Sequence, residues 1–404
     1  MVKLFYSGCI AALSITMTFM AVDVRACRIY GSIGTGLTDG LLEEHLVSAP
    51  YSLSELSRKY HVDGWGIAYY DSFGADVTIA RGAVRAWEDS VYGDTIDRMG
   101  AAQPAAVLAH IRWCTSGCCA HNEDVISDPH PFLRTLNGTT WTFVHNGSVS
   151  KARMVDLIGE EYLNEHAPFG SGLETCLVDN ATSPLVVDSE LYFLYLLKAV
   201  EANAGDATGA IVEAIETIIS DGEDQTLNFI LSDGTRVWAF RRTAWASYEI
   251  PANIYATLYY RYDAAAAFTA VASQYPVAEQ EEWVLVNNYV LLVLSSNVEP
   301  EVIHIPGCGD GIVDSGETCD GDNGTLCEDL HGAGWQCGSG CLCEYVPVPG
   351  DVDADGDVDL RDITELVRAV LGGNDLEGNG DCNGDGTVAL NDALCIMRGR
   401  WQNR

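Results

Sequence analysis

Read for the spacing of its apolar positions, the chain divides into three stretches of unlike texture. Between residues 27 and 305, short apolar runs rich in β-branched and aromatic residues and bounded by turn formers predict strands at GWGIAYYD, AAVLAHIRW, TTWTFVHNG, LNFILSD, TRVWAFRR, EEWVLVN and YVLLVLSS. Helical spacing replaces alternation at 189–203 and 207–220. The first of these helices carries Leu191, Leu194, Leu197 and Val200 on one face, and Asp188, Ser189 and Glu190 give it an acidic start. Many strands with few helices predict stacked α and β layers. From 306 to 343 glycine and cysteine displace the hydrophobic pattern, leaving too little apolar surface for a core. After a stiff linker at 344–350 (YVPVPG spans 345–350), a polar segment starting at Asp351 recurs at Asp381, a repeat of 30 residues.

The first residues have a different logic. Lys3 precedes an apolar stretch from Leu4 to Val22, and small residues follow at Val24 and Ala26, so residues 1–26 are expected to be a secretion signal cleaved after Ala26. Ser7, Gly8, Ser14, Thr16 and Thr18 interrupt that stretch. No other segment approaches the ~20 continuous apolar residues a membrane span needs, so none is expected in the mature chain. Composition agrees with export. The chain holds 14 cysteines, six of them between Cys308 and Cys343, which implies three disulfides there in one of 15 pairings and an oxidising compartment. The expected location is secreted, periplasmic or cell-surface. With 22 basic against 58 acidic side chains the net charge is −36, which repels phosphate and argues against a nucleic-acid partner, while 48% hydrophobic content excludes wholesale disorder.

Cleavage after Ala26 makes Cys27 the first mature residue. Its α-amine, with an ordinary pKa of about 8, can then take the thiol proton and later return it to a leaving amine. Six strings follow in order: CRIYGSIG from Cys27, HVDGWGIAYYD at 61–71, AHIRWCTSG at 109–117, DPHPF at 128–132, WTFVHNG at 141–147 and VDSELYFLYLL at 187–197. Together they resemble class II glutamine amidotransferases over roughly residues 27–300. The resemblance implies an α+β fold, the four-layer αββα arrangement of N-terminal-nucleophile hydrolases, and release of ammonia from glutamine through a thioester on the terminal cysteine.

It also implies roles. Cys27 is the nucleophile; Arg112 clasps the substrate α-carboxylate as a bidentate fork, with Trp113 and Thr115 lining the site. The Asn146 amide and the Gly147 N–H form the oxyanion hole, and Asp188 binds the α-ammonium. Taken singly, Arg112 reads as a surface ion pair, Asn146-Gly147-Ser148 as a hairpin turn or glycosylation sequon, and Asp188 as a helix cap. His110, His130 and His145 fall within the same strings and read as structural rather than as a metal site. Asp63 and Trp65 read as shaping the fold near the site. Cys114, Cys118, Cys119 and Cys176 form an even set, with one or two disulfides expected to brace the glutamine loop. No cofactor is implied for catalysis.

The tail repeats read DVDADGDVDLRD and DCNGDGTVALND, with oxygen ligands at loop positions one, three and five, glycine at six and aspartate at twelve. This is calcium-loop spacing. The first loop offers Asp351, Asp353, Asp355, the carbonyl of Asp357, Asp359 and Asp362. The second offers Asp381, Asn383, Asp385, the carbonyl of Thr387 and Asp392, and lacks a side-chain ligand at Ala389. Aspartate at twelve and a helix only after each loop make residues 351–404 resemble a dockerin module, which implies structural Ca2+ and a cohesin-type protein partner. The residues before the final aspartates, Leu360-Arg361 and Leu390-Asn391, differ between repeats, which argues against a symmetric docking face. Cys382 and Cys395 are placed to close a disulfide. CGDGIVDSGETCD, within 306–343, resembles the cysteine-rich repeats of myxobacterial surface proteins and implies a disulfide-braced spacer. The sequence thus predicts an exported amidohydrolase for glutamine or a γ-glutamyl amide, tethered by its tail. The alternative is a non-catalytic surface lipoprotein or scaffold acylated at Cys27.

Overall fold

The computed structural model describes residues 27–113, 130–166, 168, 187–203, 205–220, 226–243, 256–278 and 282–307; beyond these, within 312–402, it describes shorter pieces that include 317–320, 335–338, 341–345, 349–353, 358–372, 378–384 and 386–402. The signal segment, Thr115, Asp355, Asp357, Asp385 and the cysteines at 114, 118, 119 and 176 lie outside the described residues.

Two antiparallel sheets carry the first part of the chain. One holds β1 (Arg28–Gly34), β2 (Trp65–Tyr70), β3 (Val77–Gly82), β4 (Ala106–Ile111), β9 (Tyr259–Asp263), β10 (Phe268–Ala272) and β11 (Val284–Leu285), in the order β11-β9-β10-β1-β4-β2-β3. The other holds β5 (Phe132–Leu136), β6 (Thr139–Ser148), β7 (Thr226–Ser232), β8 (Arg236–Arg241), β12 (Val290–Ser295) and β13 (Val298–His304), in the order β13-β12-β8-β7-β6-β5. Inward residues of both, including Ile29, Ile33, Leu108, Val144, Ile230 and Leu292, form the middle core.

Each outer face is covered by helices. Leu42, Leu56, Ile96 and Met99, from α1 (Asp39–Glu43), α2 (Leu53–Lys59) and α3 (Ser90–Ala102), pack with Tyr30, Ile67 and Ala109 of the first sheet. Met154 of α4 (Lys151–Ile158), the buried side of α6 (Asp188–Ala202) and Ile211 and Ile215 of α7 (Ala207–Ile219) pack on Phe143, Phe229 and Trp238 of the second, with α5 (Glu160–Glu165) flanking. The result is the expected αββα layering. The 281–287 run is strand only at Val284–Leu285, a short edge element.

Two contacts fix how the sheets are aligned. The Tyr70 hydroxyl, at the end of β2, lies 2.9 Å from the carbonyl oxygens of Thr140 and Ser232 and 3.1 Å from Thr142 Oγ1. Tyr70 is opposite Ala106, which is in turn opposite Ile33. Two residues back along β1, a Cβ added to Gly31 would sit 2.8 Å from Ile230 Cγ2, so only glycine allows β1 to lie this close to β7. Stepping back from Ile33 through Gly31 to Ile29 therefore runs in the same direction as stepping forward from Thr142 through Val144 to Asn146. The N-terminal end of β1 and the C-terminal end of β6 meet at one rim of the sandwich.

In the tail, α8 (Leu360–Gly372) and α9 (Leu390–Gln402) each follow a loop and share a small core of Val352, Leu366, Ala393 and Ile396. The Cys382–Cys395 disulfide is present, as expected. Between the sandwich and the tail, Cys319–Cys337 and Cys327–Cys343 are bridged, β14 (Trp335–Cys337) pairs with β15 (Cys343–Tyr345), and Cys341 is also disulfide-bonded.

Candidate active site

Cys27 is the free cysteine among the described residues. It stands just before β1, whose Arg28 is opposite Ile111, and this register brings its sulfur to the residues that follow β4. The Trp113 N–H points at Sγ across 3.5 Å and the Trp113 carbonyl lies 3.6 Å from it. The backbone of Trp113 thus offers a donor to a thiolate and an acceptor to a thiol. Arg28 Nη1 donates to the Cys27 carbonyl at 3.0 Å, which holds the backbone of the first residue from the other side.

Arg112 is 7% exposed, so the surface ion-pair reading does not hold for it. Its backbone N–H donates to the Gly64 carbonyl at 2.9 Å, and the Asp63 N–H reaches its carbonyl at 3.4 Å. The DGWG turn thereby anchors the end of β4, which is the shaping role expected of Asp63. Trp65 is anchored in turn by Nε1 donating to Asp89 Oδ2 at 2.9 Å. The His61 ring meets the Trp113 ring edge-on at 6.1 Å.

Asn146 and Gly147 are inside β6, paired with Asn228 and Leu227, so the hairpin-turn reading is overturned: the ladder continues to Ser148. A Cβ on Gly147 would fall 1.8 Å from the Thr226 carbonyl oxygen and 2.8 Å from His145 Nε2. Glycine is needed here because β7 and the histidine occupy the space where a side chain would start.

Asp188 is not the helix cap either. Val187 occupies that position, Asp188 is the first helical residue, and its Oδ2 instead accepts the Val149 N–H at 3.0 Å, just past the Asn-Gly pair. Its neighbours tie the same helix turn to the sheet. Ser189 Oγ is 2.9 Å from His145 Nδ1, while His145 Nε2 is 3.2 Å from the Thr226 carbonyl. A carbonyl accepts only, so Nε2 carries a hydrogen; in a neutral ring Nδ1 is then the acceptor for the Ser189 hydroxyl. Glu190, 1% exposed, pairs with Arg134 of β5 at 2.9 Å; burial pulls the Arg134 pKa down against the opposing pull of that carboxylate. His110 and His130 stack at 4.3 Å. Among the described residues, the clusters of potential metal ligands do not include these three histidines.

The sequence reading missed the His145–Ser189 link and the Asn228 that faces Asn146. A histidine before the Asn-Gly pair and a lone amide inside LNFILSD were the available signals.

In the tail, carboxylate oxygens of Asp351, Asp353 and Asp362 lie within 4.8 Å of one another. Asp362 Oδ1 also accepts the Val352 N–H at 2.7 Å, and Oδ2 accepts that of Asp359. Asp392 does the equivalent in the second repeat, accepting the Asn383 and Ala389 N–H groups at 3.2 and 2.9 Å. Asp381 accepts from Gly384 and Gly386 at 2.8 Å each. The Arg361 N–H donates to Asp359 Oδ1.

Comparison with known proteins agrees with these two parts. Residues 349–399 match the dockerin type I domain model. "Glutamine amidotransferases class-II" is the family model matched over residues 45–297, a span that begins after the Cys27 segment. Escherichia coli K12 YafJ, named as a candidate glutamine amidotransferase, is 26% identical over 192 residues, covering 45% of this chain and 62% of that protein. A Haemophilus influenzae Rd protein of like name is 30% identical over 177 residues, covering 43% of this chain and 50% of its own length. The chain therefore spans between half and two thirds of the curated relatives it matches. A solved glutamine aminotransferase class-II domain protein from Silicibacter pomeroyi aligns over 69% of this chain and 100% of its own, with 20% identity and a TM-score of 0.41. A Bacillus subtilis glutamine phosphoribosylpyrophosphate amidotransferase aligns over 69% and 49%, with 14% identity and a TM-score of 0.42. With more than half of its length matched by that one family model, the chain belongs to the class-II glutamine amidotransferases.

Proposed function

We propose that the protein is an exported amidohydrolase that cleaves glutamine or another γ-glutamyl amide through an N-terminal cysteine, and that its dockerin module tethers it through calcium-supported loops. What supports this reading is that Cys27 Sγ lies against the backbone of Trp113 beside Arg112, while Asp188 at the start of α6 holds the segment just after the Asn146–Gly147 pair.

The chemistry runs as follows. The Cys27 α-amine takes the Sγ proton, and the thiolate attacks the substrate γ-carbonyl carbon. Negative charge moves to the carbonyl oxygen, where the Asn146 amide and the Gly147 N–H receive it. The α-ammonium returns its proton to the leaving nitrogen as the C–N bond breaks, and ammonia or an amine departs, leaving a thioester. Water, deprotonated by the same amine, then attacks the thioester and releases the γ-carboxylate. Arg112 at the α-carboxylate and Asp188 at the α-ammonium make the site selective for a γ-glutamyl group, and Trp113 and Thr115 line it.

In the tail, Asp351, Asp353 and Asp362 offer the hard oxygen donors that calcium prefers, with Asp355, the Asp357 carbonyl and Asp359 completing the first loop. Asp381, Asn383, Asp385, the Thr387 carbonyl and Asp392 form the second. Bound calcium offsets the mutual repulsion of these carboxylates, and the folded loops then present α8 and α9 to a cohesin-type partner. Secretion, with removal of residues 1–26, both exposes the amine and allows the observed disulfides to form. Among the described residues no helix is long and apolar enough to cross a membrane.

The test compares protein beginning at Cys27 with the same protein carrying one alanine before it, assayed for ammonia release from glutamine and amine release from γ-glutamyl amides. Activity is expected only in the first. Equal activity in both excludes the terminal-amine mechanism, and a diacylglycerol mass on Cys27 of the exported protein would replace this reading with the lipoprotein one.

A further inference from the structure

Asn228 of β7 lies directly across from Asn146 in the β6–β7 ladder. Directly opposed residues on antiparallel strands project from the same face, with Cβ atoms about 4.5–5.5 Å apart. Here the shared face is the one between the sheets, because Val144 and Ile230, two residues from Asn146 and Asn228, belong to the middle core. Asn228 is fully buried. Its Oδ1 accepts the Arg242 N–H at 3.0 Å, replacing a ladder bond where β8 has ended. An N–H partner fixes that atom as the oxygen, so the orientation of the amide is set by its surroundings. Its other end, Nδ2, is buried and has no hydrogen-bond partner among the described residues.

An amide that spends its oxygen on β8 and leaves both N–H donors buried and unused asks for an explanation, because such a group costs stability. The sheet order supplies one. β7 lies between β8 and β6, so with Oδ1 turned to β8 the spare donors face β6, where Asn146 stands. A donor at that place bears directly on the orientation of Asn146. The terminal torsion of an asparagine is broad and roughly two-fold, and a reversed amide would present its oxygen, not its N–H2, to a developing oxyanion.

We infer that Asn228 is a positioning residue for the oxyanion hole: during turnover its Nδ2 donates to Asn146 Oδ1 and holds the Asn146 N–H2 toward the substrate carbonyl oxygen. This rests on the proposed oxyanion role of Asn146. Asn228 touches no reacting atom and acts only through Asn146.

The experiment is a double-mutant cycle on the full chain beginning at Cys27, read as kcat and KM for one γ-glutamyl amide. Asn228→Asp keeps an acceptor for the Arg242 N–H and removes the donor. Asn228→Ser is a neutral second variant in case a buried carboxylate prevents folding, which thermal melting reports. Either is expected to lower kcat about tenfold with KM within about twofold, and to have no further effect in an Asn146→Ala background. Unchanged kcat in a folded Asn228 variant overturns the inference, as does an equal fold-loss in both backgrounds, which would mark a general structural role. Absence of activity in the unmodified protein across glutamine and γ-glutamyl amides overturns the amidohydrolase reading itself, and this inference with it.

Discussion

Asp188 Oδ2 accepts the backbone N–H of Val149 at 3.0 Å, so one carboxylate oxygen of the first α6 residue holds the strand segment that follows Asn146 and Gly147. In the proposed site, the other oxygen and the charge would serve substrate binding. Asp188→Asn can keep the bond to Val149 through its amide oxygen while losing the charge. It is expected to raise KM for a γ-glutamyl amide at least tenfold and to change the melting temperature by no more than a few degrees. A large loss of stability with unaltered KM would assign Asp188 to the fold alone.

Arg112→Lys keeps the charge and loses the planar fork, on a residue whose backbone is locked to Gly64. Turnover of a γ-glutamyl amide is expected to fall on the order of a hundredfold through lost substrate orientation. Steady-state kinetics with glutamine and with an amide lacking the α-carboxylate separates the outcomes: the variant should lose its preference for glutamine.

Gly147→Ala forces a methyl group against the Thr226 carbonyl, 1.8 Å from where the Cβ would stand. Strands β6 and β7 must part locally, at a cost of roughly 1–3 kcal/mol. Because the Gly147 N–H moves with them, ammonia release is expected to drop by about two orders of magnitude. Denaturant melts and rates on the same preparation check both effects.

His45 lies in a π-helical turn at Glu44–Ser48, is fully buried, and bonds the Tyr30 hydroxyl through Nδ1 at 3.0 Å among Phe268 and Trp283. Burial first, and the Arg261 charge second, lower its pKa to about 4 from 6.5. Between these values the unfolded chain binds a proton that the native protein refuses, so stability is full above about 6.5 and is lost as pH falls toward 4. For a shift of this size the loss is about 3 kcal/mol. His45→Phe should flatten the stability difference between pH 7 and pH 4.5 relative to the unmodified protein, measured by urea titration at each pH; parallel curves would remove His45 from the account.

Chelation of calcium is expected to unwind α8 and α9, because Asp351, Asp353 and Asp362 then repel one another without a cation between them. Far-ultraviolet circular dichroism of the full chain should lose helix signal and regain it on calcium addition, with the rate of γ-glutamyl amide cleavage unchanged. No spectral response would leave these loops without a calcium role.

The legible parts of the fold were those where apolar residues recur in short dense runs or at helical spacing. β2, β4, β6, β7, β8, β12, α6 and α7 all coincide with such runs. β1 escaped because RIYGSIG mixes arginine and two glycines into a strand buried on both faces, and β13 because the exposed Glu299 and Glu301 flank a buried Pro300 on an edge strand. The motif residues announced their chemistry through residue type and order. What they could not announce was the cross-strand company they keep. Asn228 opposes Asn146, and His145 reaches Ser189, only after strands distant in sequence have paired, so their roles depend on register and not on local pattern.

The sulfur chemistry of the chain has a practical consequence at the bench. As the proposed nucleophile Cys27 must stay a thiol, whereas Cys319–Cys337, Cys327–Cys343 and Cys382–Cys395 must stay oxidised to brace the C-terminal part. A preparation kept in strong dithiol reductant protects the nucleophile while unfastening the tail, and one left in air does the reverse. Storage in a balanced monothiol buffer, with the free-thiol count per chain followed over time, suits both demands, and tail-dependent binding measured under dithiothreitol describes a different molecule from the disulfide-braced one.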